Sequence, residues 1–112
     1  MKIVAVDFDG TIVKDAYPGI GEIYSGTVSY LKYLQSMDCK LILWTCRSGK
    51  QLEEAVKVCR NNGIEFDAVN DNLPETVEKY GNNSRKIYAD IYIDDRAFIP
   101  AEYYMEKVEK GA

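Results

Sequence analysis

Apolar residues follow two rhythms along this chain. "KIVAVDF" (Lys2 to Phe8) and "KLILWT" (Lys40 to Thr45) are short aliphatic or β-branched runs without polar alternation, the pattern of strands covered on both faces. Between them, "SGTVSYLKYLQSM" places Val28, Leu31 and Leu34 at helical spacing with Tyr30 and Tyr33 flanking the stripe, which predicts a crossover helix. Past Thr45, apolar Leu52, Ala55, Val56 and Cys59 recur at i, i+3, i+4, i+7, with Ser48 as a cap and Gly63 as a stop, the clearest helix of the chain. "EFDAVN" reads as a short strand, and "DNLPETVEKYG" as a brief helix with Asn72 near its cap, Pro74 in its first turn and Gly81 after its end. "YADIYIDD" supplies a further strand, and "AEYYMEKVEK" a final helix after Pro100. Strands alternating with helices predict an α/β fold: a doubly wound, Rossmann-like parallel sheet. No repeat or linker interrupts the 112 residues, a length that supports one core, so a single domain over 1–112 is expected.

In such sheets, sites form at the carboxyl ends of the strands, where strand order reverses. The polar residues obey that rule: Asp7 and Asp9 follow the first strand, Thr45 ends the second, and Asp94 and Asp95 end the late one. Four carboxylates on one rim repel one another unless a cation sits among them. Magnesium is the natural candidate, since it takes oxygen ligands, commonly one or two carboxylates, and leaves positions for water and a substrate phosphate. The chain has no His, and Cys39, Cys46 and Cys59 show no CxxC spacing, which disfavours zinc and a disulfide framework and reads as buried free thiols. Lys86 and the Thr45 hydroxyl would complete a phosphoryl site, because phosphoryl transfer is catalysed largely by positioning and charge neutralisation.

Composition narrows the partners. A net charge of −4 argues against a nucleic-acid binder, whose affinity rests on accumulated Lys and Arg. No apolar run approaches the ~20 residues of a membrane span, and the segment after Met1 lacks the basic and long apolar regions of a signal peptide. A cytoplasmic location with no membrane partner is the expectation. The nine tyrosines read mostly as semi-buried core or interface residues.

The motifs resemble those of the haloacid dehalogenase (HAD) superfamily of phosphohydrolases: "DFDGT" (Asp7 to Thr11) is similar to its DxDGT signature, "LILWT" (Leu41 to Thr45) to its second motif, and "KIYADIYIDD" (Lys86 to Asp95) to its lysine and acidic motifs. The resemblance spans nearly the whole chain, with the motifs in order. It implies Asp7 as a nucleophile forming an aspartyl-phosphate, and Asp9 as the acid that protonates the leaving oxygen and then the base that activates water, its backbone carbonyl also binding Mg²⁺. Thr45 would bond a phosphoryl oxygen and Lys86 neutralise developing charge, with Arg85 as the competing choice for the lysine position. Asp94 would ligate Mg²⁺ directly with Asp95 supporting it, or the reverse. Arg47 and Arg96, one or two residues past motif positions, read equally as contacts for an anionic substrate group and as solvated surface arginines.

Many members of that superfamily carry an inserted cap of ~50 residues or more. Neither insertion point has room here, which implies the small capless type, with the flap Val13 to Ser25 as the lid candidate. The resemblance then implies an open site that takes a macromolecule or is closed by a neighbouring subunit. The acidic charge makes nucleic acid the weaker macromolecular option, and a small phosphorylated metabolite with homo-oligomer contacts completing the site is the expectation; a phosphoprotein substrate is the alternative. A phospho-receiver switch domain gathers similar residues, but it carries its phosphorylated Asp after a middle strand, where this chain reads "LWTCR".

Overall fold

The computed structural model describes residues 2–97. Its elements run β1 (Ile3–Val6), α1 (Ser25–Ser36), β2 (Lys40–Leu43), α2 (Gly49–Asn61), β3 (Ala68–Val69), α3 (Pro74–Tyr80) and β4 (Ile91–Ile93). The four strands form one all-parallel sheet in the order β3-β2-β1-β4, the α/β architecture that the alternating rhythms predict. The expected final helix, 101–110, lies outside the described residues.

Right-handed crossovers explain the layering. The chain steps from β1 through β2 to β3 in one direction, then returns through α3 to β4 on the far side of β1. Val28, Leu31 and Leu34 of α1 and Ala55 and Cys59 of α2 therefore share one face of the sheet with Val4, Val6, Leu41 and Leu43. The opposite face packs Ala5 and Ile42 against Leu73, Ile87 and Ala89. The reversal of strand order falls between β1 and β4, and their carboxyl ends flank the crevice where such folds place ligands.

Some local expectations differ. Ser48 does precede α2, yet its side chain makes no cap hydrogen bond. Asn72 lies next to the cap of α3, Leu73, but its buried side chain serves other partners, donating to Asn83 Oδ1 and the Ser84 carbonyl and accepting from Tyr88 N–H. Seven tyrosines, Tyr17, Tyr24, Tyr30, Tyr33, Tyr80, Tyr88 and Tyr92, are exposed rather than semi-buried. On α1 the reason is geometric: Val28, Leu31 and Leu34 fill the core-facing stripe, leaving Tyr30 and Tyr33 to stack on each other at 6.5 Å. Of the three free thiols only Cys59 is buried, and Cys46 is exposed. No described helix is long and apolar enough to cross a membrane.

Candidate functional site

The loop after β1 alternates its side chains sharply. Asp7 N–H bonds the Ile93 carbonyl at 2.9 Å, continuing the ladder to β4. Phe8 is fully buried, and its carbonyl accepts the N–H groups of Thr11, Ile12 and Val13, curling the chain into one tight turn. That turn sets Asp7 and Asp9 on either side of an anchored aromatic ring. Gly10 closes it with φ +85°, and a Cβ there would run into the Asp95 carboxylate. Both the backbone conformation and the close approach demand glycine. Gly10→Ala is thus expected to push the β4 loop away and weaken divalent-cation binding by about tenfold or more, measured by calorimetric titration with Mg²⁺.

From the other side, Asp95 N–H donates to the buried Thr11 hydroxyl at 3.2 Å, tying the two loops together. The result is a carboxylate cluster: one oxygen each from Asp7, Asp94 and Asp95 lies within 4.8 Å of the others. Burial, reinforced by the charges of Asp94 and Asp95 and opposed by a hydrogen bond from the Phe8 backbone, raises the Asp7 pKa from 3.8 to about 6. An all-oxygen set this close suits a hard divalent cation such as Mg²⁺.

Asp9 points elsewhere. Both of its oxygens receive the Arg47 fork, at 2.8 Å from Nε and 2.8 Å from Nη2, so its side chain stands apart from the cluster. Arg47 is only 1% exposed, which corrects both halves of the expectation, a contact for an anionic substrate group and a solvated surface arginine. Its remaining N–H groups go to the carbonyls of Gly19 (2.6 Å), Pro18 (3.1 Å) and Gln51 (3.4 Å), and its guanidinium lies over the rings of Phe8 and Tyr17. All five guanidinium donors are spent within the protein. Sequence spacing placed Arg47 near the site but said nothing of which carboxylate it would meet.

Thr45 stands at the carboxyl end of β2, half-buried. Its N–H donates to Asn70 Oδ1 at 2.7 Å, and its hydroxyl accepts the Arg47 N–H at 3.2 Å. Asn70 also donates to the Arg47 carbonyl, so this residue, at φ +52° after β3, staples the β2 loop. The sequence reading missed it; an Asn just past a short strand, a residue type tolerant of the left-handed region, was the available signal.

Asp7, Asp9, Asp15, Tyr17, Cys46, Arg47 and Arg96 line a recess of about 380 Å³. The flap forms one wall. Lys14 N–H bonds the Glu22 carbonyl across it, and Gly21 lies so close to the Lys14 carbonyl that a Cβ would not fit. Arg96 sits at the mouth, 83% exposed, with Nη2 3.9 Å from Asp15 of the flap, a loose pair that leaves the guanidinium accessible.

Lys86 does not reach this recess. It lines a separate cleft with Asn72, Tyr80, Tyr88 and Tyr92, because the segment before β4 is pinned beneath the opposite face by Ile87 and Ala89 and by the Asn72 bond to Tyr88 N–H. Asp90 then begins the ladder at the amino end of β1, its N–H on the Ile3 carbonyl. Lys86 therefore leaves the chain before β4 starts, away from the carboxyl ends. Arg85 is likewise exposed and does not line the recess.

No protein-family model matches the chain, and no curated protein matches it either. Among solved structures, a conserved protein from Bacteroides thetaiotaomicron is similar over 99% of this chain and 92% of its own, with 43% identity and a TM-score of 0.78. At that identity over nearly the full length of both, this chain belongs to the same family as the conserved Bacteroides thetaiotaomicron protein.

Proposed function

We propose that the protein is a Mg²⁺-dependent phosphomonoesterase of the haloacid dehalogenase type, which hydrolyses a small phosphorylated metabolite through an aspartyl-phosphate on Asp7. The observation that carries this reading is the juxtaposition, where strand order reverses, of the clustered Asp7, Asp94 and Asp95 oxygens with Asp9, which lines the same recess as Asp7. Asp7, Asp94 and Asp95 would hold the Mg²⁺, which supplies charge neutralisation for the incoming phosphate.

The chain's own residues account for the steps. An Asp7 carboxylate oxygen attacks phosphorus and the ester P–O bond breaks, the leaving oxygen taking its proton from water, because both Asp9 oxygens accept from Arg47 and have none to give. Asp9 then takes a proton from water, whose oxygen attacks phosphorus, and the bond to Asp7 breaks to release inorganic phosphate. Thr45 keeps its hydroxyl proton for a phosphoryl oxygen, since that hydroxyl acts only as an acceptor towards Arg47 N–H. With Lys86 in another cleft, the accessible Arg96 is the recess cation placed to meet an anionic substrate. A recess of about 380 Å³ walled by the flap suits a small leaving group better than a protein chain.

The test is phosphate release from 4-nitrophenyl phosphate and a panel of phosphorylated metabolites, with Mg²⁺ or with chelator. Turnover that depends on Mg²⁺ is expected, with the panel ranking the leaving groups. Turnover undiminished by chelator, or none on any compound, would overturn the reading.

A further inference from the structure

Arg47 does more than neutralise Asp9. Its fork of Nε and Nη2 fixes both Asp9 oxygens, while Nη2 also bonds the Gly19 carbonyl and Nη1 the Pro18 carbonyl at the flap tip. A third anchor, the Gln51 carbonyl in the first turn of α2, makes the guanidinium a fixed post rather than a side chain that follows either partner. Tyr17, beside those carbonyls, has its ring over the guanidinium at 5.2 Å while lining the recess with Asp9. The planar guanidinium can serve all these acceptors at once only if Asp9 and the tip occupy their present places.

We propose that Arg47 is a positioning residue that locks the Asp9 side chain to the flap tip, so that the recess has its water-activating base in place only when residues 16–19 are seated. The coupling is reciprocal: whatever unseats the tip frees Asp9, and whatever removes Asp9 loosens the tip. A leaving group too bulky to lie under the seated flap would therefore lose the placed base along with the wall, which makes the lock a size filter on the substrate. The kinetic part of this inference rests on the phosphomonoesterase reading; the coupling itself does not.

Two measurements test it on the full chain. Native-state hydrogen exchange of the Lys14 and Gly19 amides, whose bonds to the Glu22 and Ala16 carbonyls close the flap, is expected to speed up by about tenfold or more in Arg47→Met. It should speed up likewise in Asp9→Asn, which keeps Arg47 and serves if Arg47→Met does not fold. With 4-nitrophenyl phosphate, Arg47→Met is expected to release nitrophenolate in a burst and then turn over about tenfold more slowly than the unaltered protein, since discharge of the phosphoryl-enzyme depends on a placed base. Arg47→Lys, with one charge but no fork, should fall between. Flap exchange unchanged in both variants, or turnover by Arg47→Met with neither burst nor slowing, overturns the proposal. If the unaltered protein turns over no ester, the functional reading fails while the exchange result still decides the coupling.

Discussion

Asp7→Asn is expected to lower phosphate release by about a thousandfold or more, with no phosphoryl-enzyme recovered after acid quench. The amide oxygen is a poor nucleophile towards phosphorus, and the change also removes one of the three carboxylates that lie within 4.8 Å of one another. Asp9→Asn should behave differently. With a good leaving group such as 4-nitrophenolate the first step needs no proton, so a phosphoryl-enzyme on Asp7 should accumulate, because the water that would discharge it has lost its base. Mass spectrometry of quenched protein separates the two variants. Asp7→Asn retaining turnover within tenfold of the unaltered protein would remove Asp7 from the nucleophile's role.

The same substitution is expected to stabilise the metal-free protein at neutral pH. Burial, with the neighbouring Asp94 and Asp95 charges, lifts the Asp7 pKa from 3.8 to about 6, so between those values the native chain holds a proton that the unfolded chain has released. Stability from this group is present below pH 3.8, falls as pH rises towards about 6, and is lost above it. Fully shielded from water, a rise of that size would be worth about 3 kcal/mol; solvent reaching the half-buried carboxyl screens it to about 1 kcal/mol, roughly 4 °C in Tm. In chelator, the Tm of Asp7→Asn minus that of the unaltered protein should thus grow from near zero at pH 4 to that value at pH 7. Added Mg²⁺ should raise the Tm of the unaltered protein at pH 7 and leave the variant nearly unmoved. A Tm difference that is flat with pH would show that the cluster does not strain the fold. A residue that weakens the empty structure in order to act is the usual trade between activity and stability.

Much of this was legible because the relevant signals are local. The runs Lys2 to Phe8 and Lys40 to Thr45 announce buried strands, and Leu52, Ala55, Val56 and Cys59 announce α2, because period and burial act over a few residues. Asp7, Asp94 and Asp95 were legible for a related reason: a strand's carboxyl end is a place the topology fixes. Lys86 and Arg47 were not. Where a long cationic side chain ends is decided by distant partners, and for Arg47 these lie in the β1 loop, the flap tip and α2 at once. Lys86 was displaced by packing: Ile87 and Ala89 are drawn into the core on the far face, and β4 is only three residues long, so the preceding chain never approaches the acidic rim. Asn72 shows the same limit at smaller scale, its side chain recruited by Asn83, Ser84 and Tyr88 rather than by its own helix.

The pairing of β1 with β4, Val4 beside Ile91 and Val6 beside Ile93, has a consequence for how the protein is made. Asp7 is synthesised long before Asp94 and Asp95, and no local structure joins them beforehand. A nascent chain that has already paired β1 with β2 carries a solitary carboxylate with no reason to gather cations and no clustered charge to resist folding. The clustered charge arises only when β4 docks beside β1. Any cation site built from these three carboxylates therefore forms only once β4 is in place, however early β1 and β2 pair.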